Sequence, residues 1–328
     1  MPVFNNESFL AEEIESILTQ TLTDFELILI NDCSTDRTGE IAQSYHDDRI
    51  RYFSNGRNLG LVTSLNLGLE KARSEIIARM DGDDISMPNR LEEQYQFLLN
   101  HQDVGAAGSA VQIIDEYSRP VRMWKFPSDP AMLLWTMIFT NPIAHPSVVM
   151  RKSIVQYAGG YRDCAAEDID LWERLSQATL ITNLPIVLLR LRKHSSNITK
   201  YNKEIISVSA AEISERIILR ITHEVPPPGL VAKMYKKCID HPSDSLAVSR
   251  FIDNLYRLYV TTPGLSPVAR NNIRLDAARR LLRFVKVKNI PIVQRRHFLW
   301  SAMVLDPFVL FRAFTTSIST LLTPEIPR

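Results

Sequence analysis

The chain has 328 residues, 45% of them hydrophobic, and its 38 basic and 37 acidic side chains leave a formal net charge of +1. This length and composition predict a globular protein of about two domains, and the balanced charge gives no reason to expect nucleic acid as a partner. Three widely spaced cysteines indicate neither a zinc site nor a disulfide framework and are typical of a reducing compartment, so we expect a cytoplasmic protein. The sequence shows no signal peptide and no uninterrupted run of about 18 apolar residues that would span a membrane.

The first hundred residues alternate strand-like and helix-like segments. In chain order these are a helix at 8–20, a strand at 25–30, a helix after Asp36, a strand at 50–53, a helix at 61–72, a strand ending at Met80, a helix at 88–100 and a strand at 104–114. Such alternation predicts βαβ units, and hence an α/β fold with a mainly parallel sheet flanked by helices.

The pattern of predicted elements changes in the second half of the sequence, from alternating strands and helices to helices. A helix at 167–178 and a strand at 186–192 are the last elements of the α/β pattern, and strand signals nearly vanish after Asn202. Helix-like segments follow at 204–222, 246–261, 267–287 and 291–314. We therefore place a boundary between Ser195 and Lys203, with an α/β domain over residues 1–200 and a helical region over 201–328.

The acidic cluster Asp81-Gly82-Asp83-Asp84 directly follows a predicted strand. In an open α/β sheet the ligand crevice lies at the carboxyl ends of the strands, and carboxylates there can hold Mg²⁺ or Mn²⁺, which binds phosphate oxygens. A solvated acidic turn explains the same residues, because Asp and Gly are common in turns. An EF-hand loop does not, because Ile85 and Ser86 occupy its ligand and glycine positions.

Two further polar loops follow predicted strands. In the turn Asn31–Asp36, Asp32 can accept a hydrogen bond from a base imide such as that of uracil, although the turn can equally cap the next helix. In the loop Asn55–Gly60, Arg57 can neutralise a diphosphate or can be an ordinary surface arginine.

A third acidic site, Glu167-Asp168, begins a predicted helix. The helix dipole favours ionised carboxylates in a first turn, and an ionised Asp168 suits a general base that takes a proton from an attacking hydroxyl. The alternative is a purely structural role. His145 stands in a proline-framed loop, where it can contact acceptor or diphosphate, and His194 ends the last strand, where it can contact metal or phosphate. A structural hydrogen-bonding role is the alternative for both histidines.

The segment 270–296 holds nine basic residues against one acidic residue, Asp276. Its arginines include Arg279, Arg280 and Arg283, and apolar residues at 281, 282, 284 and 285 lie among them. Phe298, Leu299 and Trp300 follow the segment. This composition predicts either a basic amphipathic surface for peripheral contact with anionic lipid or a helical subdomain with a solvated basic face.

Taken together, these motifs resemble the family 2 glycosyltransferases, inverting enzymes of the GT-A fold that include many bacterial polysaccharide-assembly proteins. The resemblance covers about residues 1–200. It rests on Pro2-Val3-Phe4-Asn5-Asn6-Glu7, Asn31–Asp36, Arg57-Asn58-Leu59-Gly60, Arg79–Asp84 with Pro88 and Arg90, His145-Pro146, and Glu167-Asp168 with Leu171 and Arg174.

The resemblance implies transfer of a sugar from a nucleotide diphosphate sugar, with UDP as the expected carrier, to a hydroxyl of a glycan or lipid-linked acceptor. It implies a role for each matching residue. Asp32 contacts the base, Glu7 lines the nucleotide pocket, Asp81 lies near the ribose, Asp83 binds a divalent metal and Asp168 is the catalytic base. Glu167 and His145 then lie on the acceptor or diphosphate side.

One departure from the family pattern concerns the first strand. In the family an apolar strand normally precedes the Pro-Val-x-Asn motif, whereas this sequence begins at Met1-Pro2, so we expect that strand to be missing and the chain to be truncated. An impaired or non-catalytic GT-A scaffold is therefore one alternative function. A sugar nucleotidyltransferase is another, and it lacks support because no glycine-rich basic loop stands near Met1.

Overall fold

The computed structural model describes residues 1–194, 203–236, 242–285 and 290–313. The chain divides into two compact units, Met1–Leu133 with Asn141–Asn202 and Leu134–Thr140 with Lys203–Arg328. The short segment Leu134–Thr140 is therefore packed with the helices of the second unit, although it lies within the α/β part of the sequence.

The first unit contains alternating strands and helices. Its strands are β1 (Pro2–Val3), β2 (Leu27–Asn31), β3 (Ile50–Ser54), β4 (Ile76–Ala78), β5 (Ile85–Ser86), β6 (Val104–Ile114), β7 (Pro120–Trp124), β8 (Val149–Arg151) and β9 (Leu180–Arg192). Its helices are α1 (Leu10–Leu18), α2 (Thr38–Ser44), α3 (Leu61–Lys71), α4 (Arg90–Asn100), α5 (Pro130–Met137, which runs into the second unit), α6 (Lys152–Tyr157) and α7 (Glu167–Leu175).

Among the described residues the strands form two sheets. The first has the order β1-β2-β3 with parallel pairing throughout. The second has the order β4-β8-β6-β9-β5 with β7 on β6, and there only β6 and β9 are parallel. The α/β class is confirmed, but the expectation of a mainly parallel sheet holds only for part of it. Two of the antiparallel strands, β5 and β8, have only two and three residues and are too short to give a clear sequence signal.

We expected the first strand to be missing, and the structure contains a very short first strand. Pro2 and Val3 form a two-residue strand that pairs in parallel with Ile30 and Asn31. The pairing continues through Asp32, whose backbone N–H donates to the Val3 carbonyl at 2.9 Å. This short strand delivers the following residues to the carboxyl end of β2, beside the Asn31–Asp36 turn.

Strand β9 is longer than the sequence predicted, because it begins at Leu180 rather than Ile186. Its register with β6 shifts between the pairs Ser109↔Leu184 and Ala110↔Val187, so two residues of β9, including Pro185, are left out of the ladder. Proline has no N–H to donate, which suits a bulge. The buried polar residues before this bulge disguised the strand in the sequence.

Helix α1 shows how the first core is built. Leu10, Ile14 and Ile17 follow helical spacing and are buried in one cluster with Leu27 and Leu29 of β2. The α1 helix thereby covers the first sheet, so that the residues just before it lie beside the ends of β1 and β2.

The second unit is helical in its described residues. Its helices are α8 (Lys203–Thr222), α9 (Leu230–Lys236), α10 (Pro242–Val260), α11 (Pro267–Val285) and α12 (Ile292–Leu305). Among the described residues, none of the helices has the length and apolarity needed to cross a membrane.

Part of the basic amphipathic surface expected over residues 270–296 is buried in the structure. Arg280 is only 8% exposed; it pairs with Asp276 at 2.5 Å and lies 4.0 Å from the ring of Phe139. The neighbouring apolar residues Leu281, Leu282 and Phe284 are buried as core. Helical phase decides this, because these residues lie on the inner face of α11. Lys286 and Lys288 lie outside the described residues.

Candidate active site

Asp32 organises the carboxyl end of β2. It is buried, and its Oδ1 accepts hydrogen bonds from Asn55 Nδ2 at 2.7 Å and from the Leu59 N–H at 2.9 Å, while Oδ2 accepts from the Gly60 N–H at 2.8 Å. Gly60 has φ +86°, which only glycine adopts without strain. Asp32 therefore fixes the loop that carries Arg57, and Arg57 itself is exposed.

The N-terminal motif is tied to the same region. Glu7 donates its backbone N–H to Asp36 at 3.1 Å, and its carboxylate accepts from the Arg37 N–H at 3.0 Å, at the start of α2. Asn6 donates from its amide to the Gly82 carbonyl at 2.5 Å. Two loops that are distant in sequence, the one after β1 and the one after β4, are thus in direct contact.

The acidic cluster after β4 gathers three carboxylates. Oxygen atoms of Asp81, Asp83 and Asp84 all lie within 4.8 Å of one another. The last residue of strand β9, Arg192, is bonded to the cluster. Its N–H donates to Asp84 Oδ1 and its Nε donates to the Asp83 carbonyl, both at 2.8 Å. His194 places its Nε2 2.8 Å from Asp83 Oδ2.

The chemistry of this cluster fits a divalent cation. Burial, followed by the charge of Asp83, raises the pKa of Asp84 well above its usual value, and its buried Oδ2 has no hydrogen-bond partner. Burial also raises the pKa of Asp81, despite the opposing charge of Arg79. Like-charged oxygens held this close are an electrostatic strain that a hard cation relieves. Asp84 was not among the predicted metal ligands. His194 was, and its ring is in hydrogen-bonding contact with Asp83, the other predicted ligand.

Arg79 connects the acidic cluster to the third acidic site. Its guanidinium is 5% exposed and pairs with both oxygens of Asp81, at 2.5 and 2.6 Å. Its charge also acts on Glu167 and Asp168, where it opposes the rise in the pKa of each carboxyl. The sequence offered one signal for this role, since Arg79 stands two residues before Asp81.

Asp168 lies in the first turn of α7, as predicted. Asn141 donates to its Oδ2 at 2.5 Å, and the Ile169 N–H donates to its Oδ1 at 2.7 Å. Both bonds favour the ionised form, but burial is the larger influence and raises the pKa of Asp168. A carboxylate with a raised pKa is a stronger proton acceptor than a free one. Asn141 was missed from the sequence, although it begins the loop in which His145 was noticed.

His145 is buried within the protein. Its Nε2 lies 3.0 Å from the Tyr161 hydroxyl, its Nδ1 lies 3.7 Å from Glu167, and its ring meets Trp172 edge-on at 5.7 Å. Burial, followed by the charge of Arg79, lowers the pKa of His145 well below its usual value and so favours the neutral ring. Burial and the charge of Asp168 raise the pKa of Glu167 to about 8. These contacts favour the structural interpretation of His145.

The predicted residues therefore form two groups. One group comprises Asp81, Asp83, His194, Glu167, His145 and Asp168. Within it, Arg79 pairs with Asp81 and its charge acts on the pKa of Glu167 and of Asp168. The other comprises Asp32, Glu7 and the Arg57 loop, and it is joined to the first group through the contact of Asn6 with Gly82. Both groups belong to the first unit.

A fold likeness supports the expected architecture. The mannosyltransferase PcManGT from Pyrobaculum calidifontis, solved in complex with GDP-Man and Mn²⁺, matches with a TM-score of 0.51 and 15% sequence identity over 95% of this chain and 86% of that chain. At this identity the likeness concerns the fold alone, and it confirms the GT-A expectation.

Sequence similarity identifies the family. The chain is 40% identical over 182 residues to the putative glycosyltransferase EpsE of Bacillus subtilis, covering 53% of this chain and 64% of that protein. It is 33% identical over 216 residues to the O-antigen biosynthesis glycosyltransferase WbnJ of Escherichia coli, covering 61% of this chain and 80% of that protein. The family model for glycosyl transferase family 2 matches residues 1–157. The chain therefore belongs to glycosyl transferase family 2.

Proposed function

We propose that the protein transfers a sugar from a nucleotide diphosphate sugar to a hydroxyl group of a glycan or lipid-linked acceptor, with inversion at the anomeric carbon. The observation on which this proposal rests is the cluster of Asp81, Asp83 and Asp84 in the same unit as the buried Asp168, with Arg79 paired to Asp81 and its charge acting on the pKa of Asp168. Asp81, Asp83 and Asp84 would hold a divalent cation, and this cation would stabilise the negative charge of the diphosphate. WbnJ is named for O-antigen biosynthesis, which supports a glycan product.

The proposed reaction is a single displacement. Asp168 accepts the proton of the acceptor hydroxyl as that oxygen bonds to the anomeric carbon, and the bond from this carbon to the diphosphate oxygen breaks. The acceptor oxygen attacks the face of the anomeric carbon opposite the diphosphate, and the nucleoside diphosphate leaves with the bonding electrons. The configuration at this carbon therefore inverts. Asn141 keeps the Asp168 carboxylate in place through its 2.5 Å hydrogen bond.

For the donor we propose a UDP-sugar, bound with its base near Asp32. An ionised carboxylate has about four acceptor positions, and Asn55, Leu59 and Gly60 use three of them. One position remains for an imide N–H. We propose the cytoplasm, or the cytoplasmic face of the inner membrane, as the place of action.

The test compares hydrolysis of UDP-sugars and transfer to hydroxyl acceptors by the wild type and by Asp168→Asn, with and without Mn²⁺. The variant should keep its affinity for UDP and lose at least about 10²-fold in kcat, the usual contribution of a general base. Chelation should abolish turnover by the wild type. Asp48→Asn, at an exposed aspartate, is the matched control. Turnover by Asp168→Asn at the wild-type rate contradicts the assigned base, and a wild type that binds UDP without turnover favours the scaffold.

A further inference from the structure

Helix α12 presents apolar side chains to solvent along one face. Ile292, Val293, Trp300, Met303 and Val304 of α12 are all exposed, with Ile292 at 81% and Trp300 at 71%. Their spacing follows the helical period, whereas Phe298, Ala302 and Leu305 on the opposite face are buried. We call the five exposed residues the α12 stripe.

Two further exposed aromatic residues follow the helix in the chain. Phe308 and Phe311 are 64% and 69% exposed. Single exposed apolar residues are normal on a protein surface, but five on one face of a helix form an apolar surface of the kind that marks an interaction site. The occupant of the α12 stripe must accept the indole ring of Trp300.

A basic groove runs beside the stripe, between α10 and α12. It encloses about 630 Å³ and is lined in part by Ser249, Arg250, Arg296, His297, Trp300 and Met303. The sequence contains no Asp or Glu between Asp276 and Asp306. An anionic group at the groove therefore meets two arginines beside an apolar surface.

Among the described residues, the two aspartates of α10 and the aspartate that follows α12 are paired. Asp306 is buried and lies 3.2 Å from Arg312, while the two aspartates of α10, Asp244 and Asp253, pair with Lys233 and Arg257 at 2.7 and 2.9 Å. The surface is thus apolar along the stripe and cationic along the groove. This is the arrangement of an interfacial helix on an anionic bilayer, in which a tryptophan lies at the level of the headgroups.

We propose that the α12 stripe and the adjoining groove dock the second unit on an anionic phospholipid surface, with Arg250 and Arg296 on lipid phosphates and Trp300 among the headgroups. A second copy of the chain fits this face less well, because a two-fold contact sets each patch against its equivalent and brings like charges together. The docking surface does not depend on the proposed transfer chemistry.

The experiment measures sedimentation of the full chain with vesicles of phosphatidylglycerol and phosphatidylcholine, and with vesicles of phosphatidylcholine alone. The wild type should bind the anionic vesicles and should release as salt is raised from about 0.05 to about 0.5 M. Trp300→Ser with Val304→Ser should weaken binding at least about tenfold, through loss of apolar insertion. Arg250→Gln with Arg296→Gln should weaken it by about fivefold for each charge.

Two control variants lie in the first unit. Tyr157→Ser removes another aromatic residue that is 81% exposed, and Arg119→Gln removes an exposed positive charge. Both controls should bind as the wild type does. Donor hydrolysis, measured on the same preparations, should be unchanged in the two double variants, so a failure of the proposed chemistry is seen separately from a failure of docking.

Three results would overturn the docking surface. The first is a wild type that does not bind anionic vesicles, and the second is binding that both double variants retain. The third is a concentration-dependent dimer, seen by sedimentation velocity without vesicles, that Trp300→Ser with Val304→Ser abolishes. This last result would assign the face to a second copy of the chain.

Discussion

Individual carboxylates in this protein differ because their surroundings differ. Asp32 is held by three donors, Asp81 by a bidentate arginine and Asp168 by one amide and one backbone N–H. Glu167 precedes Asp168 in the chain, and burial together with the charge of Asp168 raises the pKa of Glu167 to about 8. The energetic consequence of such a shift depends on pH, because the folded protein holds a proton that the unfolded chain releases.

We therefore expect Glu167 to make stability fall as pH rises. Its pKa is 4.5 in the ordinary state and about 8 in the folded protein, so its stabilising contribution is complete below about pH 4.5 and is lost progressively as pH approaches 8. In urea unfolding, Glu167→Gln should gain stability relative to the wild type between pH 5.5 and pH 8, on the order of 2 kcal/mol. Glu93→Gln, at an exposed glutamate, is the matched control. A difference between Glu167→Gln and wild type that is the same at both pH values would contradict this expectation.

At the scale of elements, close contact between β6 and β9 positions the loop of the proposed base partner. Gly108 of β6 lies against Asn183 of β9, and Asn183 donates to the carbonyls of Pro127 and Pro142 at 2.8 and 3.1 Å. The second of these bonds anchors the residue next to Asn141. The strand pair thereby supports Asp168 through the loop.

Substitution of Gly108 should show this dependence. A Cβ there would lie 2.3 Å from Asn183 Oδ1 and 2.7 Å from an Ile143 methyl, so Gly108→Ala should cost about 1–3 kcal/mol through overpacking. Gly68→Ala is the matched control inside α3, because its Cβ meets only Ile30 at 3.5 Å and alanine favours helix by about 0.5–1 kcal/mol. Chemical denaturation of both variants should give opposite signs. The idea fails if Gly108→Ala is as stable as the wild type.

At the scale of the whole molecule, each of the two units has its own core. In the second unit, Trp135 donates from Nε1 to Asp276 at 2.8 Å and Arg280 pairs with the same oxygen. The segment Leu134–Thr140 is joined to α11 by these bonds, which explains why it is packed with the helices of that unit.

Removal of Asp276 should therefore loosen the second unit. Asp276→Ala leaves a largely buried guanidinium and an indole N–H without their acceptor, at a cost of about 2–4 kcal/mol. Hydrogen exchange followed by mass spectrometry should show faster exchange in peptides of α11 and of residues 134–140. Asp253→Ala breaks a more exposed pair with Arg257 and should change exchange little. Equal exchange in the two variants would show that the Asp276 bonds contribute nothing special.

The sequence by itself determined the α/β class, most element positions in the first unit, the family and the acidic loops after the strands, because these depend on local periodicity and on motifs of adjacent residues. Tertiary structure alone decided which distant groups meet. The bond of Asn141 to Asp168, the bond of Arg192 to Asp84, the contact of His194 with Asp83 and the burial of His145 beside Tyr161 all follow from contacts between segments far apart in the chain. Helical phase likewise turned Arg280 inward and Trp300 outward, a difference that composition cannot express because it counts residues without their direction.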